Sequence, residues 1–540
     1  MISAIVLCAA MLAAPDGGGG GNGGTLAAIP AVPFPGCQVS FSVTADPSTR
    51  VVLAGSLSSG PTTRRGVTLC LGSDLRLVAS GRADAFGTFV ARLRVPLKPP
   101  ILGRDVFFQA VTRPSGAESF APTNAVAIQI GAATPSFVDG TDRLVMTHRQ
   151  TEALAAADID GDGDLDVISA ASLANSPEAL QILVNLGGEQ GGAEGVFVEE
   201  TASRLRLDGI GDGFTDGLAV AVGDVDGDGS VDLLLGSDDN FGGALNRPNL
   251  LFRNRGDGTF EADPTFPGGS FETQSMVLTD IDADGDLDAI LGNGVERSFP
   301  EPNELLVNQG GAQGGLEGTF SIDPSFDPTP GETDGVVAAD LDGDGAMDVF
   351  FARDGRNRLL RGVGSGGFED ASSLLPAIED NSTAVRLADL DGDALVDLLV
   401  INTGDPSYWL RNGGALSFER RLLPAIGSTS FIRLGGDAAD IDGDGDTDVV
   451  IAVHTLGTEP SGALLLNQGG LQQNEEGVFT WAPEAFGAAV RPFVATDVVL
   501  ADFDGDRDTD IWLGSNGDVG GADDFRDQLL VNKSCGTEEP

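Results

Sequence analysis

The 540-residue chain contains few of the residues on which most metalloenzymes and hydrolases depend. It has two histidines and four cysteines, and 82 acidic residues outnumber 31 basic ones, for a formal net charge of -51. The scarcity of histidine argues against histidine-based catalysis and against a zinc site. The negative charge makes nucleic acids and anionic membrane surfaces poor partners. After residue 14 no run of 18 apolar residues follows, so no membrane insertion is expected.

The N-terminus predicts export. Residues 2–14 are apolar and precede a Gly-rich stretch, so residues 1–14 are predicted to be a signal peptide, the alternative being a mis-assigned start or a floppy tail. Residues 15–34 are rich in Gly and Pro and predict a linker. Once a signal is removed, Cys37 and Cys70 are candidates for a disulfide within one small domain, and Cys535 is left over. The alternative is three unpaired thiols.

A nine-residue segment with aspartate at positions 1, 3, 5 and 9 dominates the rest of the chain. Position 2 is always apolar, and positions 4 and 6 are mostly glycine, which suits turns with positive φ. Ala394 and Arg507 replace glycine in the fifth and seventh copies. The seven copies are DIDGDGDLD (158–166), DVDGDGSVD (224–232), DIDADGDLD (280–288), DLDGDGAMD (340–348), DLDGDALVD (389–397), DIDGDGDTD (440–448) and DFDGDRDTD (502–510).

The sequence between the copies predicts strands and no helices. Each copy is followed by a short apolar run, by a second element such as LQILVN (180–185) and, in six copies, by a Gly or Ser just before a Phe. Each unit therefore has about four strands. Seven such units predict an all-β fold with a seven-bladed β-propeller over residues 134–540. The last unit lacks the Phe strand, and Phe137 in PSFVDGT (135–141) is predicted to complete its blade.

The segment before the repeats has a different pattern. Residues 35–132 alternate apolar and polar residues in short runs punctuated by turn residues, as in CQVSFSV and FGTFVARLRV. Six or seven strands in about 100 residues predict a small β-sandwich domain of the Ig-like kind.

The aspartate segments predict calcium sites. Four carboxylates around one point, with a carbonyl oxygen from position 7, provide the all-oxygen shell that Ca²⁺ prefers, and up to seven ions are expected. The segment is not an EF-hand, because position 12 is mostly apolar and no bidentate glutamate is present. The alternative is a set of solvated acidic turns. The predicted ligands are Asp158, Asp160, Asp162, Asp164, Asp166, Asp224, Asp226, Asp228, Ser230, Asp232, Asp280, Asp282, Asp284, Asp286, Asp288, Asp340, Asp342, Asp344, Ala346, Asp348, Asp389, Asp391, Asp393, Leu395, Asp397, Asp440, Asp442, Asp444, Asp446, Asp448, Asp502, Asp504, Asp506, Asp508 and Asp510.

Residues 135–540 resemble the FG-GAP/VCBS repeats of bacterial surface proteins and the calcium-binding propeller of integrin α subunits. The resemblance lies in the aspartate segments and their flanking strands. It implies a seven-bladed propeller with calcium in hairpin loops on one face and recognition by loops on the opposite face. It also implies a secreted or cell-surface protein, extracellular or periplasmic in a bacterium. Residues 35–132 resemble the small domain that precedes such propellers in some secreted proteins.

Three functions remain open at this point. The first is an extracellular calcium-stabilised propeller that binds a protein or glycan as an adhesion or recognition module. The second is a calcium-dependent lectin, and the third is a secreted hydrolase or lyase. No Ser-His-Asp set and no histidine metal cluster is visible, so a non-enzymatic monomer is expected, although a catalytic carboxylate pair is possible in so acidic a chain.

Several conspicuous residues have simpler interpretations. The sequence RGD at Arg255–Asp257 occupies the place of a turn in the other units and is interpreted as one. The aromatic residues Tyr408, Trp409, Trp481 and Trp512 are predicted to be core residues rather than sugar platforms. His148 and His454 are assigned surface or packing roles.

Overall fold

The protein, seen in a computed structural model, is described from residue 135 to residue 533 with short gaps. Between residues 25 and 129 the described residues are those of nine strands, with few of their side chains. The predicted signal peptide, both histidines and the side chains of Cys37, Cys70 and Cys535 lie outside the described part. The gaps are 147–149, 173–179, 188–191, 194, 207–216, 238–247, 270, 295–300, 328, 427–433, 454–460, 470–476, 487–488, 491–492 and 519–525.

The N-terminal segment forms three small sheets, with the strand orders β1-β2-β7, β6-β3-β8-β9 and β4-β5. Its strands are β1 (Thr25–Ile29), β2 (Gln38–Thr44), β3 (Arg50–Ser56), β4 (Ser59–Arg64), β5 (Val67–Leu71), β6 (Arg76–Arg82), β7 (Thr88–Arg94), β8 (Asp105–Arg113) and β9 (Ala121–Gln129). Strand β1 falls within the predicted linker 15–34, and it pairs with β2 along its whole length. This part of the predicted linker is therefore hydrogen-bonded sheet. The β-sandwich remains a prediction.

Each aspartate segment is the turn between the first two of four antiparallel strands, and we call these seven four-stranded units blades 1 to 7 in sequence order. Their strands are β12 (Gln150–Ala157), β13 (Asp166–Ser172), β14 (Leu180–Asn185) and β15 (Phe197–Glu199) in blade 1; β17 (Gly217–Gly223), β18 (Asp232–Ser237), β19 (Leu250–Asn254) and β20 (Phe260–Ala262) in blade 2; β21 (Thr273–Thr279), β22 (Asp288–Asn293), β23 (Glu304–Asn308) and β24 (Phe320–Ile322) in blade 3; β25 (Thr333–Ala339), β26 (Asp348–Gly355), β27 (Arg358–Gly362) and β28 (Phe368–Asp370) in blade 4; β29 (Asp380–Ala388), β30 (Asp397–Asn402), β31 (Tyr408–Asn412) and β32 (Phe418–Leu422) in blade 5; β33 (Gly436–Ala439), β34 (Asp448–Ala452), β35 (Gly462–Asn467) and β36 (Phe479–Trp481) in blade 6; and β37 (Phe493–Ala501), β38 (Asp510–Asp518), β39 (Gln528–Asn532) and β10 (Phe137–Asp139) in blade 7. Two short strands, β11 (Leu144–Val145) and β16 (Leu205–Arg206), pair in parallel with β15 and β20. Residues 354–355 of blade 4 also pair with residues 380–381 of blade 5, which joins these two blades into one sheet. Every second strand begins at the ninth residue of its aspartate segment.

The blades pack through apolar clusters that each combine residues of two neighbouring blades. One of them joins blade 7 to blade 1, with Phe197 of β15 against Phe503 and Trp512 at ring-centroid distances of 5.8 and 4.9 Å. Because each second strand is covered on both faces, its apolar residues follow one another rather than alternating with polar ones. Phe350 and Phe351 of β26, for example, are both fully buried. The first strands of all seven blades line one central cavity of about 350 Å³. The predicted β-propeller fold is confirmed in this arrangement.

The strand that contains Phe137 belongs to blade 7, as its sequence predicts. Strand β10 pairs antiparallel with β39, with Phe137 opposite Asn532. The Phe137 ring is buried against Phe486 at a centroid distance of 5.4 Å. The outer strand of the last blade therefore comes from residues that precede the first aspartate segment.

The buried aromatic residues also agree with the sequence. Tyr408, Trp409 and Trp512 are at most 1% exposed, as predicted for core residues. Trp481 is half-buried.

The described helical segments are short. They comprise one α-helical turn, Thr201–Arg204, and three 3₁₀ turns, Thr141–Arg143, Gly311–Gln313 and Ser372–Leu374. In the part of the chain that the structure describes, no helix has the length and apolar character needed to cross a membrane.

Blade 7 provides a test of how the two ends of the repeat region cooperate. Phe137→Ala is expected to lower the free energy of unfolding by about 3–5 kcal/mol, because it empties a buried aromatic site. The matched change Val138→Ala, on the exposed side of the same strand, is expected to cost less than about 0.5 kcal/mol. Deletion of residues 134–142 should lower the Tm far more than removal of residues 15–24. Equal melting of the two deletion variants would show that β10 is not needed for blade 7.

Candidate metal centres

The first aspartate of each segment folds the turn around its own carboxylate. In blade 1, Oδ1 of Asp158 accepts hydrogen bonds from the backbone N–H groups of Gly161 and Asp162 at 2.8 and 3.1 Å, and Oδ2 accepts one from Gly163 at 3.0 Å. Gly161 and Gly163 have φ angles of 76° and 100°, as predicted for positions 4 and 6. The turn therefore wraps its backbone donors around position 1 and leaves the later carboxylates to point toward one another.

The ninth aspartate joins the turn to the third strand. Asp166 is fully buried, and its Oδ2 accepts the N–H of Ile159 at 3.1 Å while its Oδ1 accepts the N–H of Asn185 at 2.8 Å. The same pair of bonds recurs in every blade, at 2.9–3.2 Å to position 2 and at 2.7–2.9 Å to the end of the third strand. A displacement of the turn would therefore also displace the end of the third strand of the same blade.

An asparagine at the end of the third strand extends this connection to the preceding blade. Nδ2 of Asn254 donates to the carbonyl of Val231 in its own turn at 2.9 Å and to the carbonyl of Ile159 in the turn of blade 1 at 2.7 Å. The equivalent inter-blade bonds, from Asn185 to Phe503, Asn308 to Val225, Asn412 to Leu341, Asn467 to Leu390 and Asn532 to Ile441, measure 2.8–3.0 Å. In blade 4 this position is Gly362, which has no side chain to make the bond.

All 35 predicted ligand positions are described, and the structure brings three carboxylates together in each of the turns of blades 1 to 5. In blades 1, 2, 3 and 5, carboxylate oxygens of positions 1, 3 and 9 lie within 4.8 Å of one another, and in blade 4 those of positions 1, 3 and 5 do. The participation of the position 7 carbonyl remains a prediction, and for Ser230, Ala346 and Leu395 it is the only ligand predicted at that position.

Three of the turns contain a buried carboxylate at position 7 that has no hydrogen-bond partner in the described structure. Neither side-chain oxygen of Asp164, Asp286 or Asp446 accepts a hydrogen bond in the described structure, although these residues are only 7, 4 and 9 per cent exposed. Burying a charge without a partner is strongly unfavourable. Burial, reinforced by neighbouring aspartates, raises the pKa of Asp164 to about 8, that of Asp286 to about 7 and that of Asp446 to about 9. Each carboxyl therefore needs either a proton or a cation, and an all-oxygen donor set suits Ca²⁺.

Basic side chains reach other turns, and sequence reasoning did not identify them. Arg361 contacts Asp342 at 2.7 Å and Asp344 at 2.6 Å, and Arg411 contacts Asp391 and, at 2.7 Å, Asp393. In blade 7, Asp504 accepts from Lys533 at 2.8 Å and from Arg143 at 3.2 Å. Such contacts supply positive charge to the turn without a metal.

Sequence comparison agrees with this geometry. The profile of the FG-GAP-like repeat matches residues 224–291, 340–400 and 389–451, each range containing at least one aspartate turn. The chain contains FG-GAP-like repeats. Cartilage acidic protein 1 is 29% identical to this chain over 202 residues in Mus musculus and 29% over 203 residues in Homo sapiens. Each match covers 35% of this chain, and the matched part spans 29% and 28% of the two relatives.

Solved structures give only distant matches. A lectin of Agrocybe aegerita that recognises non-reducing terminal N-acetylglucosamine has a TM-score of 0.42 and 16% identity, covering 70% of this chain and 89% of its own. An exotype rhamnogalacturonan lyase has a TM-score of 0.33 and 14% identity, and the match covers 91% of this chain and 70% of the lyase chain. Likeness at this level carries no information on ligand or activity.

The RGD sequence is a turn of blade 2, as its position predicts. Arg255 and Asp257 lie between β19 and β20, where Oδ1 of Asn254 accepts the N–H groups of Gly256 and Gly258 at 3.0 and 3.1 Å. The backbone N–H of Arg255 donates to the carbonyl of Thr259 at 3.0 Å. Gly256 and Gly258 have φ angles of 83° and 71°, and this left-handed backbone accounts for the two glycines that follow the arginine and the aspartate.

The asparagine bonds between blades can be tested directly. Asn254→Ala is expected to lower the free energy of unfolding by about 2–4 kcal/mol, because it leaves two buried carbonyls and two glycine N–H groups without their partner. Asn516→Ala is a matched control, since Asn516 donates one partly buried bond to Glu152 at 3.2 Å. Chemical denaturation measures both. Similar losses for the two variants would contradict an inter-blade role for Asn254.

Backbone strain in the fifth turn gives a second prediction. Ala394 has a φ of 66° where most other repeats have glycine, and left-handed backbone costs a non-glycine residue about 1–2 kcal/mol. Ala394→Gly should therefore stabilise the chain by about 1 kcal/mol. Gly345→Ala, at the same position of blade 4, should destabilise the chain by a similar amount. No atom lies within 4 Å of the added methyl group, so the cost comes only from the left-handed backbone conformation. If both variants changed the free energy of unfolding in the same direction, the inferred backbone strain at Ala394 would be contradicted.

Proposed function

We propose that this chain is an extracellular calcium-binding β-propeller that recognises a macromolecular partner, as an adhesion or recognition module rather than as an enzyme. The observation that carries the proposal is the convergence of aspartate carboxylates in the turns of blades 1 to 5, together with the buried position 7 carboxylates of blades 1, 3 and 6 that accept no hydrogen bond in the described structure. A module of this kind uses the metal to build its scaffold and uses variable loops for binding.

Calcium in this proposal has a structural role. The carboxylates of positions 1, 3, 5 and 9 hold the ion, and a bound cation removes the repulsion among them. An ion that binds only the folded state stabilises it by about 2.7 kcal/mol per site when its free concentration is 100 times Kd. Because the ninth aspartate is bonded to the third strand, this stabilisation is transmitted to the blade as a whole.

An extracellular location is supported by the relatives. Cartilage acidic protein 1 is named for a tissue that consists largely of extracellular matrix. The shared region is 35% of this chain, so the comparison supports the kind of environment rather than a particular partner. Calcium at about 10⁻⁴–10⁻³ M, the range to which extracellular modules are tuned, is available there.

The proposed binding surface is formed by the loops that join second and third strands. Strand order places the end of each second strand and the start of each third strand at the end of the blade opposite to the aspartate turn. Their sequences differ from blade to blade, as in SDDNFGGALNRP (237–248), GNGVERSFPEP (292–302) and NTGDPS (402–407). Loops that differ in this way suit one composite surface and do not suit seven equivalent sites.

The exposed apolar side chains favour a protein partner over a set of sugar platforms. Among the described residues, the large apolar side chains that are exposed are aliphatic, such as Leu316, Leu374 and Leu422. Binding of sugar rings commonly uses exposed aromatic faces.

Recognition is tested with the full chain immobilised in about 1 mM Ca²⁺, a concentration typical for extracellular modules. The chain is probed in parallel with a panel of purified extracellular matrix proteins and with a glycan array, each repeated in EDTA. We expect calcium-dependent binding to a matrix protein that persists after its enzymatic deglycosylation. Binding to a defined glycan alone would make the chain a lectin, and the absence of calcium-dependent binding in both panels would contradict the proposal.

A further inference from the structure

Two positions of the repeat change together from blade to blade. One is position 7 of the aspartate turn, and the other is the third-strand residue that precedes the asparagine, or Gly362 in blade 4. Where position 7 is aspartate, the strand residue is aliphatic; where position 7 is not acidic, the strand residue is arginine. The pairs are Asp164 with Val184, Ser230 with Arg253, Asp286 with Val307, Ala346 with Arg361, Leu395 with Arg411, Asp446 with Leu466 and Asp508 with Val531.

The geometry explains the exchange. Arg361 places Nε 2.7 Å from Oδ2 of Asp342 and Nη2 2.6 Å from Oδ2 of Asp344, so one guanidinium bridges positions 3 and 5 of its turn. Arg411 bridges Asp391 and Asp393 in the same way. These are the carboxylates that a metal ion in the turn also needs. The arginine side chain therefore neutralises part of the charge of the carboxylates that would otherwise bind a metal ion.

Blade 2 has a looser version of this contact. Nη1 of Arg253 lies 3.4 Å from Asp226 and 3.5 Å from Asp232, and its Nη2 is also bound to Asp263 at 3.2 Å. Its guanidinium is shared between the turn and a neighbouring loop. Blade 2 still has four carboxylates and one internal positive charge.

The turns of blades 1, 3 and 6 have the opposite composition. Each has five carboxylates, and the fifth, from Asp164, Asp286 or Asp446, is at least nine-tenths buried with both oxygens unpartnered in the described structure. In blade 1, Arg204 contacts position 3 alone, at 2.9 Å from Asp160. In blade 7, Asp508 is half-buried, and Lys533 and Arg143 both contact Asp504. Blade 7 thus receives its positive charge from outside the repeat pattern.

We infer that the seven turns form two classes of calcium site: tight sites in blades 1, 3 and 6, where a fifth buried carboxylate awaits a cation, and weak sites in blades 2, 4, 5 and 7, where arginine or lysine already occupies the ligand set. The inference rests on the proposed calcium binding. Ligand charge and its arrangement tune calcium affinity over orders of magnitude in oxygen-ligand sites. At low free calcium only the three tight sites are then occupied, while the arginine-bridged turns keep their shape without metal.

The test is calcium binding to the full, calcium-stripped chain, measured by equilibrium dialysis over a series of free calcium concentrations. For the natural chain we expect three ions to bind at free calcium at least about tenfold lower than the remainder. Arg361→Met, which removes the bridge in blade 4, should add a fourth ion to the tight group. The double change Asp286→Ala with Val307→Arg, which gives blade 3 the composition of blade 4, should leave two. Arg255→Met is the matched control, because Arg255 pairs with Glu261 outside the aspartate turns, and it should leave three.

The outcomes separate this inference from the proposed function. A single class of ions that is unchanged by Arg361→Met would overturn the two classes while leaving calcium binding intact. No binding of calcium at any concentration would overturn both. Circular dichroism of each variant at high calcium shows that the fold is retained, and the gain of an ion by Arg361→Met cannot result from partial unfolding.

Discussion

The structure depends on placing several carboxylates of like charge within one short turn, seven times over. Carboxylates at this spacing repel one another, and burial makes each charge harder to keep. The repulsion is relieved in different ways in different blades. Guanidinium groups bridge the turns of blades 4 and 5, whereas the fifth aspartates of blades 1, 3 and 6 have no described partner. The same backbone therefore accommodates turns that have an internal source of positive charge and turns that have none at position 7.

The turns matter for the propeller because they are bonded to more than themselves. Asp232 connects the turn of blade 2 to the end of its third strand, and Asn254 at that strand end connects to the turn of blade 1. Six such asparagine bonds connect neighbouring turns at every junction except that of blades 3 and 4, where Gly362 has no side chain, and Asn185 makes the bond that joins blade 1 to blade 7. Apolar clusters between blades supply the main driving force for association. The hydrogen-bonded turns fix the relative position of blades that the apolar clusters alone would allow to slide.

Much of this architecture can be predicted from the sequence, since the repeat is explicit. The aspartate spacing locates the turns, and apolar elements such as LQILVN (180–185) locate the third strands. The similarity of PSFVDGT (135–141) to GVFVEET (195–201), which contains the fourth strand of blade 1, assigns Phe137 to the last blade. The contacts of the asparagines cannot be found in this way, because Asn254 and Ile159 are 95 residues apart and become neighbours only when blades pack. The basic residues of the turns are hidden for the same reason, and position 7 is ambiguous, since aspartate there contributes a side chain while leucine contributes only a carbonyl. The strand Thr25–Ile29 is missed because it lies in a Gly- and Pro-rich stretch whose local composition gives no indication of a partner strand.

The central claim is that a cation among the aspartates stabilises the propeller. The most direct measurement is the thermal unfolding of the full chain in EDTA and in about 1 mM Ca²⁺, with Mg²⁺ at the same concentration as a control for charge alone. The account predicts a clear rise in Tm with Ca²⁺ and a smaller one with Mg²⁺, because magnesium demands a tighter octahedral shell. Coincident unfolding curves in EDTA and in calcium would contradict it.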